Sequence, residues 1–329
     1  MSRDAAWCHV AEQIGGFARH TLEASPGGTI LASRSSAIYL LGAGDELLWL
    51  APEGVPMHRR GIRVAGPLPH VSAGSTYVDT DGRLVLGSAA VVDVSRAILW
   101  EPEYDTGPHR PLEATPERRP VQALSSLVDG LPSPAGFGEF LPALTEYAHG
   151  GALPSRAWRR SPVLAAASHS VFGVARACRA RDGAAILGHA AGLVGLGEGL
   201  TPSGDDFLGG VFFGLAELRR DGLRFPGCGP TALSSFLGSA RRRTNRISFA
   251  LLDDHAAGHS CEPAHRLAWA LLGDGSPRAI RQASSELVRV GHSTGWDLLT
   301  GMWTAWALVP GVGMPSDRSG VHTIVAATP

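Results

Sequence analysis

Two short stretches of this chain, 91 residues apart, carry one pattern. Ser203-Gly-Asp-Asp-Phe-Leu-Gly-Gly210 and Thr294-Gly-Trp-Asp-Leu-Leu-Thr-Gly301 both read [ST]-G-x-D-[FL]-L-x-G. A hydroxyl residue followed three positions later by an acid is the pattern of a helix N-terminus. The glycine four residues beyond each acid leaves room for a neighbouring backbone. Both stretches open runs, 204–220 and 294–309, that are apolar on nearly every side until their far ends. Such helices belong at the centre of a fold. The pattern therefore predicts two central helices that start alike, pack through glycines and turn both N-termini toward one cleft.

A glycine loop leads into the first of them, Gly195-Leu-Gly-Glu-Gly-Leu-Thr-Pro-Ser-Gly204. Glycines let the backbone approach a ligand with no Cβ in the way, and Pro202 stiffens the entrance to the helix. Helix N-termini attract anions through free N–H groups and the helix dipole. Gly195, Gly197, Gly199, Thr201, Ser203, Gly204, Ser293 and Thr294 are the expected binding residues for a small anion. A bare carboxylate would repel that anion. Either Asp205 and Asp206 hold a Mg²⁺, which favours one or two carboxylates, or their side chains turn away. His292, just ahead of the second helix, suits acid–base work, and Asp206 and Asp297 are the carboxyl groups expected to join it. Asn245 and Arg246 follow three further arginines, and an Arg fork suits a carboxylate or phosphate. The bland alternative is two well-capped, close-packed helices that bind nothing.

Composition removes several classes. The chain has no lysine: all 29 residues of the Lys+Arg count are arginine. Schiff-base chemistry and a Walker A phosphate loop are therefore excluded. A formal net charge of −1 gives no reason to expect nucleic acid or an anionic membrane as partner. No apolar run reaches the ~20 residues of a membrane span, the first residues do not read as a signal peptide, and a cytoplasmic location is expected. The four cysteines are scattered without a C-x-x-C pair, which argues against a zinc ribbon and gives no disulfide framework. His255, His259 and His265 with Asp253, Asp254 and Glu262 resemble a metal cluster, but Gly258 interrupts the helix and no H-E-x-x-H is present, so a metal role is disfavoured.

The fold class expected is α+β, a small antiparallel β-barrel or sandwich followed by a mainly α-helical domain. Residues 5–24 read as a helix, with Trp7, Val10, Ile14, Phe17 and Ala18 near helical spacing. Seven short β-prone runs lie between Thr29 and Val94, with hairpin turns at Gly42–Asp45 and Asp79–Gly82. Nothing in this part looks catalytic. The division is 1–115 for the β-rich domain, 116–138 for a Pro/Gly-rich connection, 139–310 for the helical domain with the glycine loop, and 311–329 for a tail. Nine helices are expected from residue 139 onward, with Gly291 ending one and Ser293 or Thr294 capping the next.

The phrase Gly195-Leu-Gly-x-Gly-Leu-Thr-Pro-Ser-Gly-Asp-Asp-Phe-Leu-x-Gly210 resembles the signature of the bacterial AllH-like subunit family of oxamate carbamoyltransferase. Gly291-His-Ser-Thr-Gly-Trp-Asp297 and Thr244-x-x-x-Ser248 are similar to its further motifs. The resemblance implies a role in purine (allantoin) nitrogen catabolism, in an enzyme interconverting oxalurate plus phosphate with oxamate plus carbamoyl phosphate. It implies a small anionic substrate of that class and other subunits as partners, one similar to a succinyl-CoA synthetase. The S-T-R-T-R and H-P-x-Q motifs of other carbamoyltransferases are absent. Two further readings remain open, a non-catalytic binding or assembly subunit and a stand-alone Mg²⁺-dependent hydrolase.

Overall fold

Eight strands close most of the first hundred residues into a barrel, and a ninth is added beside it. The computed structural model describes residues 7–88, 90–102, 130–154, 158, 161–220, 222–272 and 276–309. Most of the expected 116–138 connection and all of the tail lie outside them. The strands are β1 (Trp7–Gly15), β2 (Gly27–Ser33), β3 (Ile38–Gly42), β4 (Leu47–Pro52), β5 (Gly61–Val64), β6 (Thr76–Thr80), β7 (Arg83–Leu86), β8 (Ala90–Asp93) and β9 (Ile98–Trp100). Their order is β5-β4-β3-β2-β6-β7-β8-β1, closed by a β1–β5 pairing, with β9 added beside β1. Most pairings are antiparallel; β1–β8, β1–β9 and β4–β5 are parallel. At the β6–β7 hairpin Asp81 and Gly82 both take positive φ, 52° and 77°, the tight turn that matches strand twist.

Residues 5–24 are not one helix. Residues 7–15 form β1, and helix α1 begins only at Gly16 and ends at Ala24. The reason is a β-bulge: pairing with β5 slips between Ala11 and Gln13. The slip turns both Ala11 and Ile14 inward, each 2% exposed. An inward spacing of three imitates helical periodicity, whereas an unbulged strand repeats every two.

The helices after the barrel are α2 (Leu141–Ala148), α3 (Pro162–Ala180), α4 (Gly183–Ala190), α5 (Ser203–Arg220), α6 (Pro230–Ala240), α7 (Arg246–Ala256), α8 (Glu262–Leu272), α9 (Pro277–Leu287) and α10 (Thr294–Leu308). A 3-10 turn, Gly136–Phe140, precedes α2. The two repeat helices, α5 and α10, form the centre of this part. From Gly204 to Leu215 and from Gly295 to Leu308 every residue is buried. A Cβ on Gly210 would overlap the carbonyl oxygen of Leu298, and one on Gly301 would overlap that of Phe207. The equivalent glycines of the two copies thus mark one helix crossing, where the backbones touch.

Gly301→Ala should cost about 3 kcal/mol, since neither backbone can retreat from a fully packed centre. Gly238→Ala on α6, where a Cβ meets open space, should be neutral or gain up to ~1 kcal/mol. Urea unfolding of the two variants checks this, and equal midpoints would refute the crossing.

The barrel docks on α7. Leu47, Trp49 and Ala51 of β4 pack with Ile247, and Leu200 of the glycine loop and Tyr39 of β3 join this cluster. Beside it Arg60 grips Asp254 with both prongs, Nε to Oδ2 at 2.5 Å and Nη2 to Oδ1 at 2.8 Å.

Candidate active site

The first residues of α5 and α10 meet beside the crossing. The hydroxyls of Thr201 and Thr294 lie 3.0 Å apart, and those of Ser203 and Ser293 lie 3.4 Å apart. These contacts correct the expected caps. Ser203 is already the first helical residue of α5. Ser293 holds the N-cap position of α10, but its side chain makes no capping bond. Instead the hydroxyls reach across: those of Thr294 and Thr201 bond toward Asp206, and those of Ser203 and Ser293 toward Asp297. Each acid is thus served from the start of the other helix. Gly291 takes a positive φ of 62°, yet α9 stops at Leu287; that glycine shapes the loop before α10 and does not end the helix.

Asp206 and Asp297 sit at the bottom of this meeting point, 3% and 0% exposed. Burial raises Asp206 well above the usual carboxylate range, and the neighbouring charge of Asp297 adds to the rise. Burial pushes Asp297 up to about 7, against the pull of the Phe137 N–H and the two serine hydroxyls. Two like charges in low dielectric resist ionising together, so the pair retains a proton near neutrality. Oδ1 of Asp297 accepts from the backbone N–H of Phe137 at 2.6 Å. Oδ2 of Asp206 and Oδ2 of Asp297 are buried with no hydrogen-bond partner among the described residues.

Asp205 does different work. Its Oδ1 accepts from the N–H of Gly195 at 2.8 Å, and its Oδ2 accepts from the hydroxyls of Ser248, at 2.6 Å, and Thr244. It ties the glycine loop to the start of α7. A Mg²⁺ at this carboxylate would have to displace those donors, and among the described residues no group of three or more His, Cys, Asp or Glu side chains is placed to hold a metal ion.

Residues 193–306, which contain the loop, both acids and the helix crossing, match the family model described as oxamate carbamoyltransferase subunit AllH. This segment is similar to the AllH family. No curated protein and no solved structure matches the chain. No helix among the described residues is long and apolar enough to cross a membrane.

Within the AllH segment the loop takes positive φ at Gly195 (74°), Gly197 (126°) and Gly199 (90°). A side chain on Gly195 would strike the carbonyl of Arg243, and one on Gly197 would lie 2.7 Å from Ser203 N. The start of α5 has less to offer an anion than expected. The N–H of Gly204 bonds Leu196, and those of Asp205 and Asp206 bond Pro202. The N–H groups of Gly197, Glu198, Gly199 and Leu200, by contrast, bond no described residue, and Glu198 and Gly199 are exposed.

Asn245 caps α7 through the N–H groups of Ile247 and Ser248 and donates to the carbonyl of Leu200. Arg246, expected to meet a substrate carboxylate, instead pairs with Asp45 of the barrel at 2.7 Å, beside Arg241 at 2.9 Å. His292 is exposed and bonds no described residue. The histidine-rich stretch forms a buried polar knot around Asp254. His255 and Ser260 are 3.1 Å apart, and Ser260 N–H donates to His265 at 2.9 Å.

Three residues near the acids escaped the sequence. Gly136, at φ 55°, lies so close to Asp297 that any side chain there would collide with it. Phe137, its neighbour, gives its backbone N–H to the same carboxyl. Tyr39 of the barrel, which looked inert, lies close enough to Asp206 that burial and this charge raise its pKa. Only its place among aliphatic residues in a β-prone run was visible in sequence, and nothing local linked it to residue 206. A separate cleft of about 700 Å³, lined by Glu53, Arg63, Glu262, Arg266 and Arg289 among others, also lies between barrel and helices. It is open and mixed in charge, and none of the expected site residues lines it.

Proposed function

We propose that the chain is a subunit of an oxamate carbamoyltransferase in purine (allantoin) nitrogen catabolism, and that Asp206 and Asp297 are its acid–base pair. One observation carries this reading: two buried carboxyl groups, coupled and protonated well above their ordinary range, stand at the joint start of two helices inside the AllH segment. In the reaction a phosphate oxygen attacks the carbamoyl carbon of oxalurate. The bond from that carbon to the oxamate nitrogen breaks, carbamoyl phosphate forms, and the departing nitrogen needs a proton. A carboxyl held protonated near neutrality supplies it, and as carboxylate takes it back in the reverse direction. The loop N–H groups would bind the anionic parts as fixed donors.

The other subunits would cover apolar surface that the barrel leaves open. Val10, Ile98 and Leu99 on adjoining strands are 52%, 69% and 48% exposed. Apolar side chains scattered singly over a surface need no explanation, but neighbouring ones favour a contact with another chain. The test is phosphate-dependent loss of oxalurate, with equal amounts of oxamate and carbamoyl phosphate formed, by the protein isolated together with its co-purifying chains. Oxalurate loss without phosphate would instead support the hydrolase reading. No turnover in the full assembly would leave a binding or assembly subunit.

A further inference from the structure

The outer face of the barrel is covered on one side and bare on the other. Leu47, Trp49 and Ala51 of β4 alternate with the core residues Leu48 and Leu50 and are buried outside the barrel against Ile247 of α7. On the opposite side of the ring, the register aligns Val78 of β6 with Val85 of β7, Val85 with Val91 of β8, and Val91 with Cys8 of β1. Paired residues share a face of the sheet, and the neighbours Tyr77, Leu84, Leu86 and Val92 fill the barrel core. The aligned row therefore points outward: Val78 is 49% and Val85 37% exposed, Val91 is half-buried and Cys8 is exposed. An antiparallel sheet that faces water normally carries polar residues there. The next row holds Thr80, Arg83 and Asp93, so the face carries one charge of each sign. The N–H and hydroxyl of Ser95 both bond Oδ1 of Asp93, at 3.0 and 2.6 Å, which fixes this carboxylate and leaves Oδ2 for a further donor.

We propose that this row is the contact between two copies of the chain. A two-fold axis running along the strands, between β7 and β8, lays β7 of each copy over β8 of the other. Arg83 then meets the second copy's Asp93, Val85 meets its Val91, and Val78 meets its Cys8. Such a patch is its own complement, as the interface of a two-fold dimer must be. The opposite signs of Arg83 and Asp93 select a second copy over an unrelated apolar surface, because each guanidinium finds a fixed carboxylate opposite it. The face is three strand spacings across, about 14 Å, so the dimer belongs to the weaker, concentration-dependent class. Ile98 and Leu99 of β9 lie beyond β1, outside this contact, and stay open to other subunits.

Cysteine placement on the full chain tests the register. On mild oxidation Val78→Cys should give a dimer linked to Cys8 of the other copy, and adding Cys8→Ser should abolish it. Within one chain the two positions lie three strands apart, about 14 Å, too far for a disulfide, so a link between them joins two copies. The parent should not link, because Cys8 faces Val78 and not its own equivalent. In sedimentation at about 100 µM, where a weak interface is populated, the parent should run as a dimer. Arg83→Asp should weaken it at least about tenfold, the effect of like charges set face to face. Arg83→Asp combined with Asp93→Arg should restore it. A parent that stays monomeric until other subunits are added, a disulfide through Cys8 in the parent, or a doubly reversed variant that dimerises no better than Arg83→Asp would overturn the proposal.

Discussion

Replacing Asp297 by Asn should make the protein more stable at pH 8 and at least 100-fold slower in carbamoyl transfer. The side chain is fully buried, and its carboxyl titrates at about 7 because burial penalises the charge. A folded pKa above the unfolded one contributes stability that is complete below the unfolded value and is lost as pH rises through the folded one. At pH 8 the native protein therefore carries an ionised group it would rather have neutral, a burden on the order of 2–4 kcal/mol for a shift of this size. Asparagine keeps an oxygen for the Phe137 N–H, removes the charge and gives Asp206 a donor.

The gain should shrink as the pH falls and vanish only below about pH 4, where the aspartate is protonated in the folded and the unfolded chain alike. His58 and His255, pushed down to about 3 and about 4 chiefly by burial, oppose this trend in both proteins: they stay neutral in the fold and weaken it as the unfolded chain protonates below about 6.5. Because they are common to both, they cancel in the difference. Thermal unfolding of both proteins at pH 8 and pH 5 measures it. A variant no more stable than the parent at pH 8, or a gain indifferent to pH, would mean that the acids are not a strained pair. The loss of rate follows because asparagine cannot pass a proton, a contribution of typically 10²–10⁴. A group that weakens the fold yet is indispensable to turnover is the expected signature of a functional site.

Much of this was legible in sequence, and the failures share a cause. The seven β-prone runs and nine helical segments announced themselves by local turn chemistry and periodicity. The repeat at 203–210 and 294–301 announced its own crossing, since its final glycines are the residues on which the backbones touch. The bulge at Ala11–Gln13 hid β1 by imitating another period, and β9, three residues long, was too short to carry one. Phe137 meets Asp297 across 160 positions, and Tyr39 nears Asp206 from the barrel. Neither residue type is unusual where it stands, so only the folded arrangement reveals the meeting. The caps failed for an opposite reason. The hydroxyl–Asp pattern was real, but two copies packed together exchanged their partners, which no single stretch can show.

Asp254→Ala should cost 3–5 kcal/mol, the largest loss expected from one substitution outside the helix crossing. Arg60 and Asp254 are 7% and 3% exposed, and Arg59 lies within 3.8 Å of the same carboxylate. Burial alone would raise the Asp254 pKa, but the hydrogen bonds and charge of Arg60 outweigh it and hold it below the usual range. Removing the acid strands a buried guanidinium, which is far more costly than having no pair at all. Arg60→Met with Asp254→Leu should therefore recover most of the loss, because an apolar pair of similar volume needs no compensation. Urea midpoints of the single and double variants decide it; a single-variant cost below about 1 kcal/mol, or a double variant as unstable as the single, would show that this pair does not pin the barrel. The effect should reach the site. Helix α7 is fastened at its end by Arg60 and at its start by Asn245 and Ser248 to the glycine loop and Asp205. Loosening the end frees the barrel face that brings Tyr39 to Asp206, so in Asp254→Ala oxamate affinity should fall along with stability, while the double variant should restore both.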